Sequence, residues 1–541
     1  MTSADDGPSQ ASPSGPTSSL MRPTATVMVL TGLSRVTGFM RIVVVAAVLG
    51  QTFLGNTYQS ANTVPNILFE LLIAGALQAV LVPTLVQTLD RTGVADAERV
   101  AGGVLGLATV GLGLAAGAAM AAAPLIMRAL TSGVADPAAR AAQIRLGTIF
   151  LWIFLPQVLF YAAGLVSTGV LNARERFALP AFAPIVNNVI VMGAYVGFDA
   201  MRGDRPLTLD LGAAEIAVLA GGTTLGVIAF TAVPVVAVMR SGFRLRPRLD
   251  HRQAGVRRIA RQGGWAAAYL ASLQLQLAVV LVLANRIEGG VVTYQVGFAF
   301  SLLPHALLAL PIATTMFPRL ARRARGDAAA FARTLDGGFR AVGFVVIPAA
   351  AAMAALAEPL SHLVLFGRGD AARAGELASV LMGFAPGVVG AGAFIFLSRA
   401  SYALERVRDP AVVNLAAVAA GASVMVPAFA VLPADRAVAG LAAAVSGTAI
   451  VAACGLAWRL RQTGAFRGTA TWWMRLTVAG AGAGAVMRLV AGRFDGSEPA
   501  RAAAVVVALA AGALCYLGIV RLTGGPRIRE ALRLLDAGYP G

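Results

Sequence analysis

About fourteen long apolar runs, separated by short polar segments, dominate this chain of 541 residues. A run of about 20 mostly apolar residues is typical of a helix that spans a bilayer. Hydrophobic residues make up 57% of the chain and charged residues 13%, whereas a soluble domain has about 25% charged residues. Because one water-soluble core cannot hide this excess, we predict an all-α integral membrane protein with about 14 transmembrane helices. The predicted spans are 24–50, 60–89, 100–127, 143–170, 179–198, 213–239, 263–284, 291–318, 339–362, 374–398, 410–432, 436–458, 472–491 and 501–522.

The basic residues lie mainly between the apolar runs. The chain has no lysine, so all 44 basic residues are arginine, and the net charge is +18. Such a charge is also typical of nucleic-acid binding, but its position beside apolar runs favours a membrane topology signal and no nucleic-acid partner. Alternate loops are richer in arginine, most of all from Arg240 to Arg261. Because basic loops stay in the cytoplasm, we predict that both termini are cytoplasmic.

An internal repeat divides the chain. Glu175 recurs as Glu405, at an offset of 230, and Pro83 recurs as Pro318, at an offset of 235. Several such matches occur in the same order, which predicts that spans 1–6 and 7–12 are two copies of one unit in the same orientation. The expected architecture is two pseudo-symmetric six-helix lobes plus two C-terminal helices. Many secondary transporters are built from such repeats, with the substrate site between the halves.

The repeat also predicts the domain boundaries. Each lobe would contain six spans, and the polar segments between and beside them would face the cytoplasm. The predicted segments are a disordered tail (1–22), the first lobe (23–240), an arginine-rich linker (241–262), the second lobe (263–460), the last two spans (461–522) and a second tail (523–541).

Ionisable residues occur within the first two predicted spans. Arg35, Arg41 and Glu70 are costly inside a membrane unless they pair or line a cavity, so they are functional candidates. We expect the two arginines to face one cavity with Glu70 as their counter-charge. Guanidinium groups match phosphate oxygens in pairs, which favours an anionic headgroup such as a pyrophosphate. The alternative is that the arginines only pair with Glu70 and join two helices. The other candidate binding residues are polar neighbours: Ser34, Asn56 and Asn66.

No catalytic constellation is evident. The chain has only three histidines and no Walker phosphate-binding loop, and such a loop would be needed for direct ATP use by this chain. We therefore predict a transporter rather than an enzyme, without a cofactor and driven by a gradient, the membrane potential or a partner.

Several short segments resemble the MviN/MurJ group of lipid II flippases, in the multidrug/oligosaccharidyl-lipid/polysaccharide exporter superfamily. The most complete match is Leu-Ser-Arg-Val-Thr-Gly-Phe-Met-Arg at 33–41. The matches run in order from span 1 to span 11. The other matching segments are 64–66, 75–76, 82–83, 171–173, 180–181, 317–320, 366–369 and 399–404.

The resemblance implies a two-lobed, fourteen-helix transporter of the bacterial plasma membrane with a central cationic cavity. Its substrate would be lipid II, the undecaprenyl-pyrophosphate-linked peptidoglycan precursor, moved from the inner to the outer leaflet by alternating access. On this pattern Arg35 and Arg41 bind the headgroup, supported by Ser34. Residues 461–522 would form a groove for the polyprenyl tail. Membrane lipids and cell-wall synthesis proteins are the other expected partners.

The chain departs from the family pattern in several charges. Ile42 and Asn56 stand where the family usually has aspartate, Phe69 and Glu70 replace an arginine pair, and Ala299 replaces an arginine. These differences keep two alternatives open: a flippase for another polyprenyl-linked glycan and a non-transporting scaffold for cell-wall enzymes. A multidrug or cation-coupled exporter is a third alternative, although such exporters usually have twelve spans and rely on acidic residues within the membrane.

Overall fold

The helical prediction is confirmed. A computed structural model describes residues 17–71, 75–249, 264–365, 371–466, 468–493 and 498–523, and all regular secondary structure within these ranges is helical. The predicted tail 1–22 ends earlier than expected, since the first helix already begins at Thr17. A helix can extend beyond its apolar run because its backbone hydrogen bonds do not require apolar side chains. Residues 1–16 and the C-terminal tail from 524 lie outside the described residues.

The first lobe contains ten helices within the described residues, some of them joined end to end into one span. In chain order they are α1 (Thr17–Leu49), α2 (Phe53–Phe69), α3 (Gly75–Thr92), α4 (Val94–Ala121), α5 (Ala123–Leu130), α6 (Pro137–Phe154), α7 (Gln157–Ala173), α8 (Ala178–Arg202), α9 (Ala213–Ile216) and α10 (Gly222–Arg240). A π-helical turn, Ala217–Gly221, joins α9 to α10.

The second lobe and the last two spans continue the same pattern. The helices are α11 (Gly264–Ala284), α12 (Gly290–Pro304), α13 (Leu310–Arg323), α14 (Ala328–Ala355), α15 (Ala357–Val364), α16 (Ala371–Ala403), α17 (Arg408–Val431), α18 (Ala434–Leu460), α19 (Thr469–Ala491) and α20 (Glu498–Leu522). A π-helical turn, His305–Ala309, joins α12 to α13.

Twelve helical segments among the described residues are long and apolar enough to cross a membrane. The prediction of about fourteen spans is close to this number. The two further predicted spans, 60–89 and 263–284, fall on α2–α3 and on α11. Each of these spans adjoins residues outside the described ranges, so its described helices are shorter than the predicted span.

The two lobes repeat each other helix by helix. The helices α4 and α14 have 28 residues each, and after a single residue each is followed by a helix of 8 residues, α5 or α15. The third span of each lobe is therefore built alike. Pseudo-symmetric lobes, as predicted from the sequence, are confirmed.

The repeat extends to an unusual backbone conformation. Glu175 and Glu405 both have positive φ, 58° and 61°, directly after α7 and α16. In each copy the following residue donates its N–H to a carbonyl five positions earlier, Arg176 to Leu171 and Arg406 to Ser401, at 2.9 Å. This is the Schellman arrangement that ends a helix with a left-handed residue.

A π-helical turn occurs at the same place in the second span of each lobe. The backbone is π-helical at Glu70 and Leu71 and again from His305, which lies 235 positions after Glu70. A π-helical turn inserts an extra residue and is frequent at functional sites. It divides each of these spans into two halves, α2 and α3 or α12 and α13.

We call the end of the bundle where α1 ends the distal end, and the opposite end the proximal end. At the distal end one continuous apolar core joins the lobes, with Leu49 and Leu54 on one side and Leu281, Val291 and Val292 on the other. Five hydrogen bonds join described residues of the two lobes at this end or in the distal half of the bundle.

The start of the predicted linker 241–262 crosses α4 at the proximal end. The backbone N–H of Arg248 donates to Gly102 O at 2.9 Å, and that of Arg244 donates to Glu98 Oε1 at 2.7 Å. A Cβ at Gly102 would lie 2.4 Å from the carbonyl oxygen of Arg246, so only glycine permits this approach. Residues 250–263 of the predicted linker lie outside the described residues.

The helices α19 and α20 pack on the second lobe. Leu476, Ala483 and Met487 of α19 share an apolar cluster with Ile347 of α14 and Tyr516 of α20. At the proximal end Thr469 donates a hydrogen bond to Asp336 Oδ1. The pair is thus an addition to the outer surface of α14, beside the two repeated lobes.

Candidate functional site

A polar cavity lies within the first lobe. Its volume is about 210 Å³, and it is lined from α1, α2, α7, α8 and α10. Among the described lining residues only Arg41 carries a positive charge, and Asn62, Asn66 and Asn187 provide amide groups. The remaining lining residues are Tyr161, Pro184, Thr223, Val227 and Phe230.

Tyr58 adjoins the distal side of this cavity. Its hydroxyl lies 2.6 Å from Thr223 Oγ1, which lines the cavity, and 2.9 Å from the hydroxyl of Tyr195. The ring is fully buried and makes edge contacts with Phe150 and Phe154. This cluster fixes α2 to α6, α8 and α10, so the cavity wall is a rigid part of the first lobe.

Arg41 is half-buried and makes no ion pair within the described residues. Its charge lies within electrostatic range of the hydroxyl groups of Tyr58, Tyr161 and Tyr195. In the same cavity Asn187 Oδ1 is buried and accepts no hydrogen bond from a described residue. The cavity therefore offers cationic donors at one position and an unused acceptor at another, which suits a ligand that carries both phosphate oxygens and hydroxyl groups.

Arg35 lies elsewhere. It is exposed and does not line the Arg41 cavity, but its charge lies within electrostatic range of His305, at the π-helical turn of the second lobe. Ser34 is half-buried, and its carbonyl accepts hydrogen bonds from Thr37 Oγ1 at 3.1 Å and Asn188 Nδ2 at 3.4 Å. Arg35 thus faces the second lobe, while its neighbour Ser34 joins α1 to α8.

The other predicted site residues are divided between two places. Asn66 lines the cavity with Arg41 and donates to Asn62 O at 3.0 Å. Glu70 is half-buried at the π-helical turn, and within the described residues no ion pair joins it to Arg35 or Arg41. Asn56 is fully buried where the lobes meet. The structure therefore brings together Arg41 and Asn66, but not Arg35, Ser34, Glu70 or Asn56.

Hydrogen bonds join the two lobes at the distal end. Asn56 Nδ2 donates to Ile287 O at 2.7 Å, and Val291 N donates to Asn56 Oδ1 at 3.0 Å. One turn further along α2, Asn285 Nδ2 donates to Ser60 Oγ at 2.8 Å. These bonds join two separate lobes, and the side chains of Asn56, Ser60 and Asn285 are buried, so the lobes are closed against each other at the distal end.

The sequence interpretation did not identify Tyr161 and Thr223 as cavity residues. A hydroxyl group in a mostly apolar run is a weak signal, because it can equally bond its own helix, as Thr223 Oγ1 does with Leu219 O at 2.7 Å. The Gly221-Gly222 pair before Thr223 is a stronger sequence signal, because small residues allow neighbouring helices to pack closely beside Thr223. A Cβ at Gly222 would lie 2.4 Å from Ala194 Cβ.

The chain is similar to known proteins along most of its length. Residues 45–496 match the family model of the lipid II flippase MurJ. The lipid II flippase MurJ of Burkholderia cenocepacia is 27% identical over 395 residues, which cover 72% of this chain and 75% of that protein.

Solved structures share the fold. A lipid II flippase MurJ in an inward closed conformation superposes with a TM-score of 0.73 at 16% identity, covering 92% of this chain and 98% of that one. An inward-facing multidrug resistance transporter of the MATE family, in the MOP superfamily, gives a TM-score of 0.63 at 12% identity, covering 80% and 94%. Since the family model spans most of the chain, this multi-pass membrane protein belongs to the lipid II flippase MurJ family.

Proposed function

We propose that the chain is a flippase that moves lipid II, the undecaprenyl-pyrophosphate-linked peptidoglycan precursor, from the inner to the outer leaflet. Family membership and the names of its relatives support this substrate. The observation that carries the mechanism is the half-buried guanidinium of Arg41, which has no ion-pair partner among the described residues and lines a polar cavity. A partly buried charge of this kind is costly unless it serves a ligand.

The two arginines have different roles in this proposal. The Arg41 cavity, at about 210 Å³, is smaller than the usual 300–1,000 Å³ of a site for a drug-sized ligand. It can hold the pyrophosphate or one sugar unit, but not the whole headgroup of lipid II. Arg35, exposed towards His305 of the second lobe, would bind another part of the same headgroup in the cleft between the lobes.

Alternating access would follow from rocking of the two lobes. With both termini in the cytoplasm, as the arginine distribution predicts, the closed distal end faces the cell exterior. The headgroup would then enter from the inner leaflet, and opening of the Asn56 contact would release it outside. The π-helical turns at Glu70 and His305 divide the second span of each lobe, and such turns would be natural positions for the movement.

The test is rescue of cells depleted of their own lipid II flippase. We expect the unmutated chain to restore lipid II at the outer leaflet, and Arg41→Ala and Arg35→Ala to abolish rescue at equal membrane abundance. Arg240→Ala is the matched control, because Arg240 is an exposed arginine of the same lobe at the proximal end of α10. It should leave rescue unchanged.

Two results would change the assignment. Full rescue by the Arg35→Ala, Arg41→Ala double variant would reject the arginine mechanism. Failure of the unmutated chain, despite normal insertion, would favour a flippase for another polyprenyl-linked glycan or a non-transporting scaffold. Appearance of a different polyprenyl-linked glycan outside would then distinguish the first of these from the second.

A further inference from the structure

A second and larger cavity lies at the distal end, between the second lobe and the pair α19–α20. Its volume is about 530 Å³, within the usual range for a ligand site. The end of α14, α15 and the start of α16 form one wall, and the end of α19 and the start of α20 form the other. This cavity shares no lining residue with the Arg41 cavity.

Charged side chains from three helices line this cavity. Arg488 and Arg501 come from the two helices of the added pair, and Glu358 and His362 come from α15. Arg488 and Glu358 are exposed and Arg501 is half-buried. Within the described residues none of the three makes an ion pair, although all line one cavity. Two guanidiniums and one carboxylate therefore lie among the described lining residues.

The remainder of the lining is mostly apolar. Ala354, Ala378, Met382 and Ala491 contribute to the walls, and Met382 is 44% exposed. The neighbouring surface of α19 and α20 also presents apolar side chains, since Leu489 is 68% exposed and would contact lipid. The cavity thus combines a cationic position at the end of the helices with an apolar surface towards the bilayer.

We propose that this cavity binds the phosphodiester headgroup of a membrane phospholipid in the distal leaflet. A guanidinium pair matches phosphate oxygens in geometry and charge. The apolar walls fit the first part of an acyl chain, which a free phosphate lacks. A bound lipid would join α19–α20 to the second lobe at the end opposite their contact with Asp336.

Native mass spectrometry of the purified full chain tests this assignment. The protein is incubated in detergent with equal amounts of phosphatidylglycerol and phosphatidylcholine, with or without millimolar inorganic phosphate. We expect preferential retention of phosphatidylglycerol and about a tenfold loss of that retention in the Arg488→Gln, Arg501→Gln variant, since charged hydrogen bonds are lost. Arg128→Gln is the control, because Arg128 lies on α5, the counterpart of α15 in the first lobe, outside this cavity.

A second variant separates recognition from misfolding. Glu358→Gln removes the negative charge and keeps both arginines, so retention of phosphatidylglycerol should rise, whereas a folding defect would lower it. Equal retention by the double arginine variant and the unmutated chain would overturn the proposal. Binding of inorganic phosphate that excludes the lipid would also overturn it, because the ligand would then be the free anion.

Discussion

Asn56 accepts a hydrogen bond of 3.0 Å from the backbone N–H of Val291, the residue 235 positions later in the chain. The same offset relates Pro83 to Pro318 in the repeat, so Asn56 contacts its own counterpart in the other lobe. Such a self-matching contact lies on the two-fold axis of a symmetric pair. Because both groups belong to different lobes, the bond exists only while the distal end is closed.

Replacement of Asn56 by alanine is expected to favour opening of the distal end. The variant loses two hydrogen bonds between the lobes. It leaves the buried N–H of Val291 unpaired, whereas Ile287 O keeps its bond from Gly290 N, so the cost is about 2 kcal/mol. The ratio of open to closed molecules should therefore rise by roughly thirtyfold. Spin labels at Ser132 and Arg436, exposed distal residues of the two lobes, should report a longer distance in a Cys454→Ser, Cys515→Ser background.

The control for this variant is Thr148→Ala. Thr148 is also largely buried, but its hydroxyl donates to Ile144 O within the same helix, so its loss should not change the distance between lobes. A distance distribution for Asn56→Ala that coincides with that of the unmutated chain would show that these hydrogen bonds do not keep the distal end closed.

Gly55 is expected to be required for closure. A Cβ at this position would lie 2.7 Å from Val292 Cγ2 of the other lobe and 2.8 Å from the carbonyl oxygen of Gly50. Contacts this short cannot form, so Gly55→Ala should hold the distal end apart and abolish rescue of flippase-depleted cells at normal membrane abundance. Gly193→Ala is the matched control, because a Cβ there meets nothing within 4 Å. Normal rescue by Gly55→Ala would refute a tight closed state in the transport cycle.

Much of the fold could be predicted from the sequence because the membrane leaves few alternatives. Apolar runs of this length become helices, since backbone groups in lipid must bond within their own segment. The repeated Glu175 and Glu405 predicted two lobes, and the structure gives both residues the same left-handed conformation. These features depend on local sequence or on a fixed offset, so they are visible without knowledge of the packing.

The candidate site was harder to predict because spacing along one helix does not determine what a side chain faces across the bundle. Arg35 and Arg41 lie six residues apart on α1, yet Arg41 faces a cavity within the first lobe while Arg35 lies near His305 of the second. The polar side chains of Asn56 and Arg41 have different surroundings: Asn56 joins the two lobes, whereas Arg41 lines a cavity. The packing of the lobes, which makes this difference, is not visible in a single sequence.

Glycine at Glu175 or Glu405 is expected to stabilise the fold. A left-handed conformation costs a residue with a Cβ about 1–2 kcal/mol, and glycine avoids this cost but loses more entropy on folding. We expect Glu175→Gly to raise the midpoint of thermal unfolding slightly, by the equivalent of about 0.5 kcal/mol. Glu175→Ala, which removes the carboxylate but keeps the Cβ, should give no such gain. A gain of the same size in both variants would assign the effect to charge rather than to backbone conformation.

Glu215 offers a comparison of a buried and an exposed ion pair that share one acceptor. Its Oε1 lies 3.2 Å from both Arg202 Nη1 and Arg205 Nη2, but the Arg202 side chain is 6% exposed and that of Arg205 is 61% exposed. Glu215→Gln would leave the buried guanidinium uncompensated and should lower the free energy of unfolding by about 3–5 kcal/mol. Arg205→Gln should cost at most about 1 kcal/mol, since water screens the exposed pair. Thermal unfolding of the two variants, compared in the same detergent, measures the difference. Equal losses would mean that the distal loop of the first lobe admits water to Arg202, and that burial does not determine the strength of this pair.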